Sequence, residues 1–226
     1  NLYTDSSNQV YYIDFEGTYG TQPLQLQESE HREFLERCPD PSQWEERRRL
    51  MLKDFFQPAI AYLTCNIVIF MTREKLVCRR SLEECEHFAQ AANGRVLSAL
   101  PPALVLIQNC CRPSEGIFKA PQCTEAFLRT HLSSDLVGWQ KFFRSIDCFC
   151  IPDEYLTCKR SGFDGEEVCQ EVLASLKRTL AARLEEDVAW RLEQQVRVSQ
   201  VQWFSVLAAL CRIVNERETV QMSSIY

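Results

Sequence analysis

The chain has 226 residues, 46% of them hydrophobic, and a formal net charge of −6. That length and apolar share support one substantial domain, or a domain with an appendage, around a real core. The negative balance argues against a surface devoted to neutralising nucleic-acid phosphates. Membrane spanning is excluded in the same way, because the most apolar stretch, around Ile60 to Met71, is interrupted by Tyr62, Thr64 and Asn66.

The opening NLYTDSSNQ has neither the basic start nor the apolar middle of a signal peptide, and it begins with Asn1, so the chain reads as a piece of a longer cytoplasmic protein. Twelve cysteines spread over a core-rich sequence read as reduced thiols; Cys148 and Cys150 in DCFCI serve as small hydrophobes. The mixed-sign run from Glu45 to Arg49 reads as a solvated helical face.

In chain order, the first element is a strand at Val10 to Ile13. A helix follows from about Pro41, where Trp44, Met51, Leu52, Phe55, Phe56, Ile60 and Leu63 recur at helical spacing. The continuous apolar run NIVIFM, Asn66 to Met71, then has the signature of a strand covered on both sides. Ser81 and Glu84 form a capping box that opens a helix to Leu97. The next buried strand is Ala103 to Ile107, behind Pro101 and Pro102. Helical stretches at Thr124 to His131 and Asp135 to Arg144 lead to a last strand at Cys148 to Ile151. Trp139, Phe142 and Phe143, at helical spacing, are core candidates.

Four strands alternating with helices predict an α/β fold with a mainly parallel sheet flanked by helices. Such sheets bind ligands beyond the carboxyl ends of their strands, so the informative polar segments are Asp14 to Gly17, Thr72 to Arg73, Gln108 to Arg112 and Pro152 to Asp153.

From Asp164 the texture changes. Val168, Val172, Leu176, Leu180, Leu184, Val188, Leu192 and Val196 repeat every four residues, and no glycine or proline follows Gly165. This predicts one long helix of about 45 Å. Its stripe drifts by about 40° at each step, so it meets different partners along its length. The helix is expected to leave the sheet, with Trp203 to Val214 packing back as a second helix. The division follows: residues 1–160 form an α/β domain and 161–226 a helical extension.

The segment VYYIDFEGTYG, Val10 to Gly20, ends a strand on Asp14 and places Gly17 three residues on. A D-x-x-G at a strand exit is the arrangement with which P-loop GTPases hold the Mg²⁺ shell and let a backbone N–H approach the γ-phosphate. The same pair also makes an ordinary turn. IDFEG, with its acidic residue before the glycine, resembles the D-x-E-G of the guanylate-binding-protein and atlastin branch of the dynamin-like GTPases, including the very large inducible GTPases. NIVIFM resembles the strand that follows switch II there, ALVLIQN the strand ending at the guanine-recognition loop, and FFRSIDCFCIP the last strand of the domain.

The resemblance covers about residues 9 to 155 and implies GTP and Mg²⁺ as ligands. Asp14 would hold Mg²⁺ through water, Gly17 would donate its N–H to the γ-phosphate, Glu16 would act in switch II and Asn109 would stand at the guanine end. It also implies a GTPase that couples nucleotide state to movement of the helices or to self-association across the GTPase face.

Two departures bear on this. No G-x-x-x-x-G-K-[ST] occurs among the seven glycines. In the family that loop precedes the D-x-E-G strand, so it is expected upstream of Asn1, and the chain alone is not expected to hydrolyse GTP. After Asn109 come Cys110, Cys111 and Arg112, where N-K-x-D would supply a carboxylate for guanine; an arginine accepts no hydrogen bond.

The alternative is a pseudo-GTPase, an interaction module that binds a protein partner and no nucleotide. Three weaker candidates are zinc at Cys78, Cys85 and His87 or at Cys148, Cys150 and Cys158, without any C-x-x-C pair; thiol catalysis at Cys110 or Cys111; and a hydrolase using Asp14 and Glu16, without a G-x-S-x-G.

Overall fold

The computed structural model describes residues 2–5, 10–13, 61, 64–73, 101–113, 118–131, 142–158, 162–195 and 199–216. Strands β1 (Leu2–Asp5) and β2 (Val10–Ile13) pair antiparallel, Leu2 opposite Ile13 and Asp5 opposite Val10. Strands β3 (Ile67–Thr72), β4 (Ala103–Cys111) and β5 (Ile146–Pro152) form a parallel sheet in that order, with β4 central. Helix α1 (Ala120–His131) lies between β4 and β5 in the chain. Two-residue strands β6 (Thr157–Cys158) and β7 (Phe163–Asp164) then lead into α2 (Gly165–Glu193), and α3 (Gln200–Glu216) follows. The chain is therefore an α/β protein with a parallel sheet.

The core follows from the two-residue alternation of strands. On one face Leu104 and Leu106 of β4 and Cys148 and Cys150 of β5 pack with Cys123 and Phe127 of α1. On the other, Val105, Ile107, Phe149 and Ile151 pack with Cys169 and Val172 of α2. Both faces of β4 are covered, which is why its sequence is an unbroken apolar run. Phe143 is buried in the first cluster with Phe142 packed against it; Trp139 lies outside the described residues.

Two expectations need correction. The strand at Val10 to Ile13 joins an antiparallel hairpin, because Leu2 to Asp5, too polar to stand out in the sequence, supplies a partner. The strand at Ile67–Thr72 is not covered on both sides: Ile69 and Met71 are 44% and 57% exposed. It is an edge among the described residues, so its apolar run does not mark burial. The helix from Pro41 lies outside the described residues except for Ala61 and Thr64, both helical and buried, and so does the helix from Ser81 to Leu97. The helix expected from Asp135 to Arg144 also lies outside them, except for residues 142–144, which form a turn rather than helix.

Helix α2 positions everything else. It starts where Asp164 accepts from the N–H groups of Glu166 (2.9 Å) and Glu167 (3.3 Å), a conventional N-cap. Gly165 is required there: a Cβ would stand 2.4 Å from the Leu156 carbonyl oxygen and 2.5 Å from that of Asp153. Those carbonyls follow the end of β5, so the helix begins at the carboxyl edge of the sheet. At 29 residues it extends about 43 Å, against about 23 Å for a seven-residue strand. It must overshoot the amino edge.

The stripe behaves as its drift requires. Val168, Val172, Leu173, Leu176 and Leu180 join the second core cluster, whereas Val188 and Leu192 have turned out to solvent. Ion pairs replace apolar packing on the side that still faces the sheet. Asp187, 4% exposed, accepts from Asn66 Nδ2 (2.6 Å), Arg144 Nη1 (2.8 Å) and Arg191 Nε (2.7 Å). Arg144 also donates to the Arg183 carbonyl at 2.8 Å. Arg183 grips Asp147 of β5 with two parallel bonds of 2.8 and 2.9 Å, and this partner, ahead of Glu186, raises its pKa.

The long helix ends without glycine or proline: Gln195 takes a left-handed φ of 56°, and a reciprocal pair between Ser199 and Gln202 opens α3. Helix α3 packs back as expected. Trp203 Nε1 donates to the Thr64 carbonyl at 2.8 Å, and its ring stacks on Tyr11 of β2 at 5.5 Å. One side chain thus ties the hairpin to the entrance of β3.

Replacing Asp187 by alanine leaves Arg144 buried without its counter-charge and is expected to cost about 3–5 kcal/mol in urea unfolding. Val188→Ala, one residue on but solvent-facing, is expected to stay within about 0.5 kcal/mol. Gly165→Ala pushes a methyl into two backbone carbonyls and is expected to lose about 1–3 kcal/mol in the same assay.

Candidate functional site

The register brings three of the four segments singled out in the sequence to one edge. Thr72 ends β3 beside Gln108, Gln108 lies beside Cys150, and Cys111 lies beside Pro152. The Asp153 N–H donates to the Cys111 carbonyl at 3.2 Å, which extends the ladder past the strand ends. Thr72 to Arg73, Gln108 to Arg112 and Pro152 to Asp153 are therefore neighbours at the carboxyl edge. The fourth segment, with Asp14, Glu16 and Gly17, lies outside the described residues; it follows β2 directly, since β2 ends at Ile13.

A bulge shapes the middle of this edge. Between Gln108 and Cys111, β4 uses one residue more than β5, and Cys110 takes the left-handed region at φ 56°. The extra residue inverts the alternation, so Cys111 turns into the cluster of Leu104 and Leu106 and Cys110 becomes exposed. The Cys111 thiol donates to the Gln108 carbonyl at 3.2 Å. Asn109 is half-buried, and its Oδ1 accepts from the Cys110 N–H at 2.9 Å, so this side chain caps the bulge. The sequence points to a loop here but holds no sign of the bulge, because neither Cys110 nor Cys111 is a residue that usually takes positive φ.

Around the bulge stand the exposed Arg112 and the half-exposed Asp153, whose Oδ1 accepts from the Tyr155 N–H at 3.1 Å. The edge thus offers a guanidinium, a carboxylate and an amide, groups suited to binding by hydrogen bonds. Cys110 carries an exposed thiol, but the described side chains include no histidine to act as its base. The amino end of α2 is closed by Asp164, whose own carboxylate takes the N–H groups an anion would use.

Among the described residues no group of three or more His, Cys, Asp or Glu could hold a metal ion, which covers Cys148 and Cys150; Cys78, Cys85 and His87 lie outside them. No helix among the described residues is long and apolar enough to cross a membrane. No protein-family model matches the chain, and no curated protein matches it.

The bulge yields its own test. Cys110→Gly is expected to hold or raise stability by up to about 1 kcal/mol, because glycine adopts positive φ freely. Cys110→Val, β-branched at the same φ, is expected to cost about 1–3 kcal/mol; thermal melts of the two variants decide it.

Proposed function

We propose that this chain is the part of a guanine-nucleotide-binding domain that follows the phosphate-binding loop, of the guanylate-binding-protein and atlastin type, with a helical extension that responds to the nucleotide. The observation that carries the reading is the order of the strands. Strand β2 ends at Ile13, the residue before Asp14 in the sequence, and the later strands β3, β4 and β5 run parallel with their exits at one edge. Residues 67–71 of β3 pair only with β4 among the described residues, which leaves an apolar edge where a further strand, carrying a phosphate-binding loop, fits.

In this reading Asp14 would hold Mg²⁺ through water, Gly17 would offer its N–H to the γ-phosphate, and Glu16 would position water or a switch contact. Asn109 supports the base end. These residues act by positioning and by electrostatic stabilisation of charge on the phosphate. Trp203 and Phe204 of α3 pack on Tyr11, three residues before Asp14 in the sequence, and this contact supports a response of the helices to nucleotide.

One observation favours the second reading, an interaction module without nucleotide. Asn109 spends its carbonyl oxygen on the bulge, and Arg112 stands where a carboxylate would accept from guanine.

The chain of 226 residues is expected to show no micromolar GTP affinity by calorimetry. A polypeptide extended upstream of Asn1 is expected to bind labelled GTP with Mg²⁺, and Asp14→Ala to abolish that binding. Failure of the extended wild type to bind overturns the nucleotide reading and leaves the interaction module.

A further inference from the structure

A pair of thiols in the core meets in a way that the nucleotide reading does not use. Cys123, in the first turn of α1, and Cys150, near the carboxyl end of β5, have their Sγ atoms 3.4 Å apart. Both belong to the cluster on the α1 face of the sheet and are 5% and 6% exposed. The residue after Cys123 fixes their register. Thr124 Oγ1 accepts from the Cys148 N–H at 2.9 Å and donates to the Cys148 carbonyl at 3.4 Å, pinning this turn of α1 to β5 two residues before Cys150.

We propose that Cys123 and Cys150 are an oxidisable pair that closes to a disulfide under a peroxide-class oxidant and staples α1 to β5. Closing a contact of 3.4 Å to a disulfide length of about 2.05 Å moves the sulfurs together by about 1.4 Å. The chemistry balances without a further reactant. One sulfur attacks a peroxide oxygen, the O–O bond breaks and water leaves, giving a sulfenic acid; the second sulfur displaces the hydroxyl as a second water. Two thiols are oxidised and one peroxide is reduced.

The environment sets the rate. The hydrogen bond with Cys150, then burial, pushes the Cys123 thiol far above its ordinary range. Cys123 is therefore kept as a thiol at neutral pH. It reacts when the first turn of α1 opens, and faster as pH rises and the thiolate fraction grows. The neighbouring Cys111 is held to the Gln108 carbonyl, and exposed Cys110 serves as an internal reference for accessible thiol chemistry.

The test treats the folded 226-residue chain with hydrogen peroxide at pH 7 and pH 9, blocks remaining thiols in denaturant, and maps unreduced peptides by mass spectrometry. The expected result is a peptide joining Cys123 to Cys150, forming faster at pH 9, with a Tm raised by roughly 5 °C or more. Cys123→Ala is expected to remove that cross-link while leaving Cys110 reactive; far-ultraviolet dichroism checks that the variant is folded. Recovery of Cys123 and Cys150 as alkylated thiols after Cys110 has been oxidised overturns the proposal, as does a cross-link from Cys150 to Cys111 or Cys148.

Discussion

A four-residue apolar repeat cannot keep one face of a 3.6-residue helix against a sheet over 29 residues, and the ion pairs around Asp187 resolve that conflict. Where the stripe of Val168, Val172, Leu176 and Leu180 rotates off the sheet, Arg183, Asp187 and Arg191, again four apart, take over the facing side. Their partners, Asn66, Arg144 and Asp147, sit at the amino ends of β3 and β5. One helix therefore reads both ends of the sheet: packed glycine against carbonyls at the carboxyl edge, charge against charge at the amino edge. The buried charges stand in low dielectric, where losing a partner costs more than the pair contributes, so the arrangement fixes the helix's rotation more than it adds stability.

This division separates support from chemistry. The ionic cluster occupies the amino edge, opposite the strand exits where Thr72, Asn109 to Arg112 and Asp153 gather. Among the described residues, Tyr11 of the hairpin stacks on Trp203 of α3, two residues before β2 ends at Ile13. A ligand at Asp14 and Gly17 would thus act within a few residues of the contact that holds α3. Under the proposed nucleotide reading, that proximity would give the helical extension a physical route by which to respond.

Four strands were legible in the sequence, Val10 to Ile13, NIVIFM, ALVLI and DCFCI, but only the last two are buried on both faces. The runs ALVLI and CFCI announce β4 and β5 because both faces are covered and no polar residue interrupts them. The polar LYTD of β1 was not legible, since a short hairpin strand needs no apolar face, and β6 and β7 are two residues each. The drift of the long helix could be computed in advance, but its end could not, because Gln195 adopts a conformation usually left to glycine or asparagine. Arg183, Asp187 and Arg191 look like a solvated face until the overshoot of the helix is known. At the candidate site, the strand exits were legible from the parallel pattern. The bulge at Cys110 was not, and it decides which way Asn109, Cys110 and Cys111 point.

The most direct measurement is hydrogen–deuterium exchange on a polypeptide extended upstream of Asn1, with and without GTP and Mg²⁺. A nucleotide domain predicts slowed exchange in the peptides spanning Asp14 to Gly17 and Gln108 to Arg112, together with a change in α3. Unchanged exchange in both of those peptides would contradict the account and move the function of this chain to its helices.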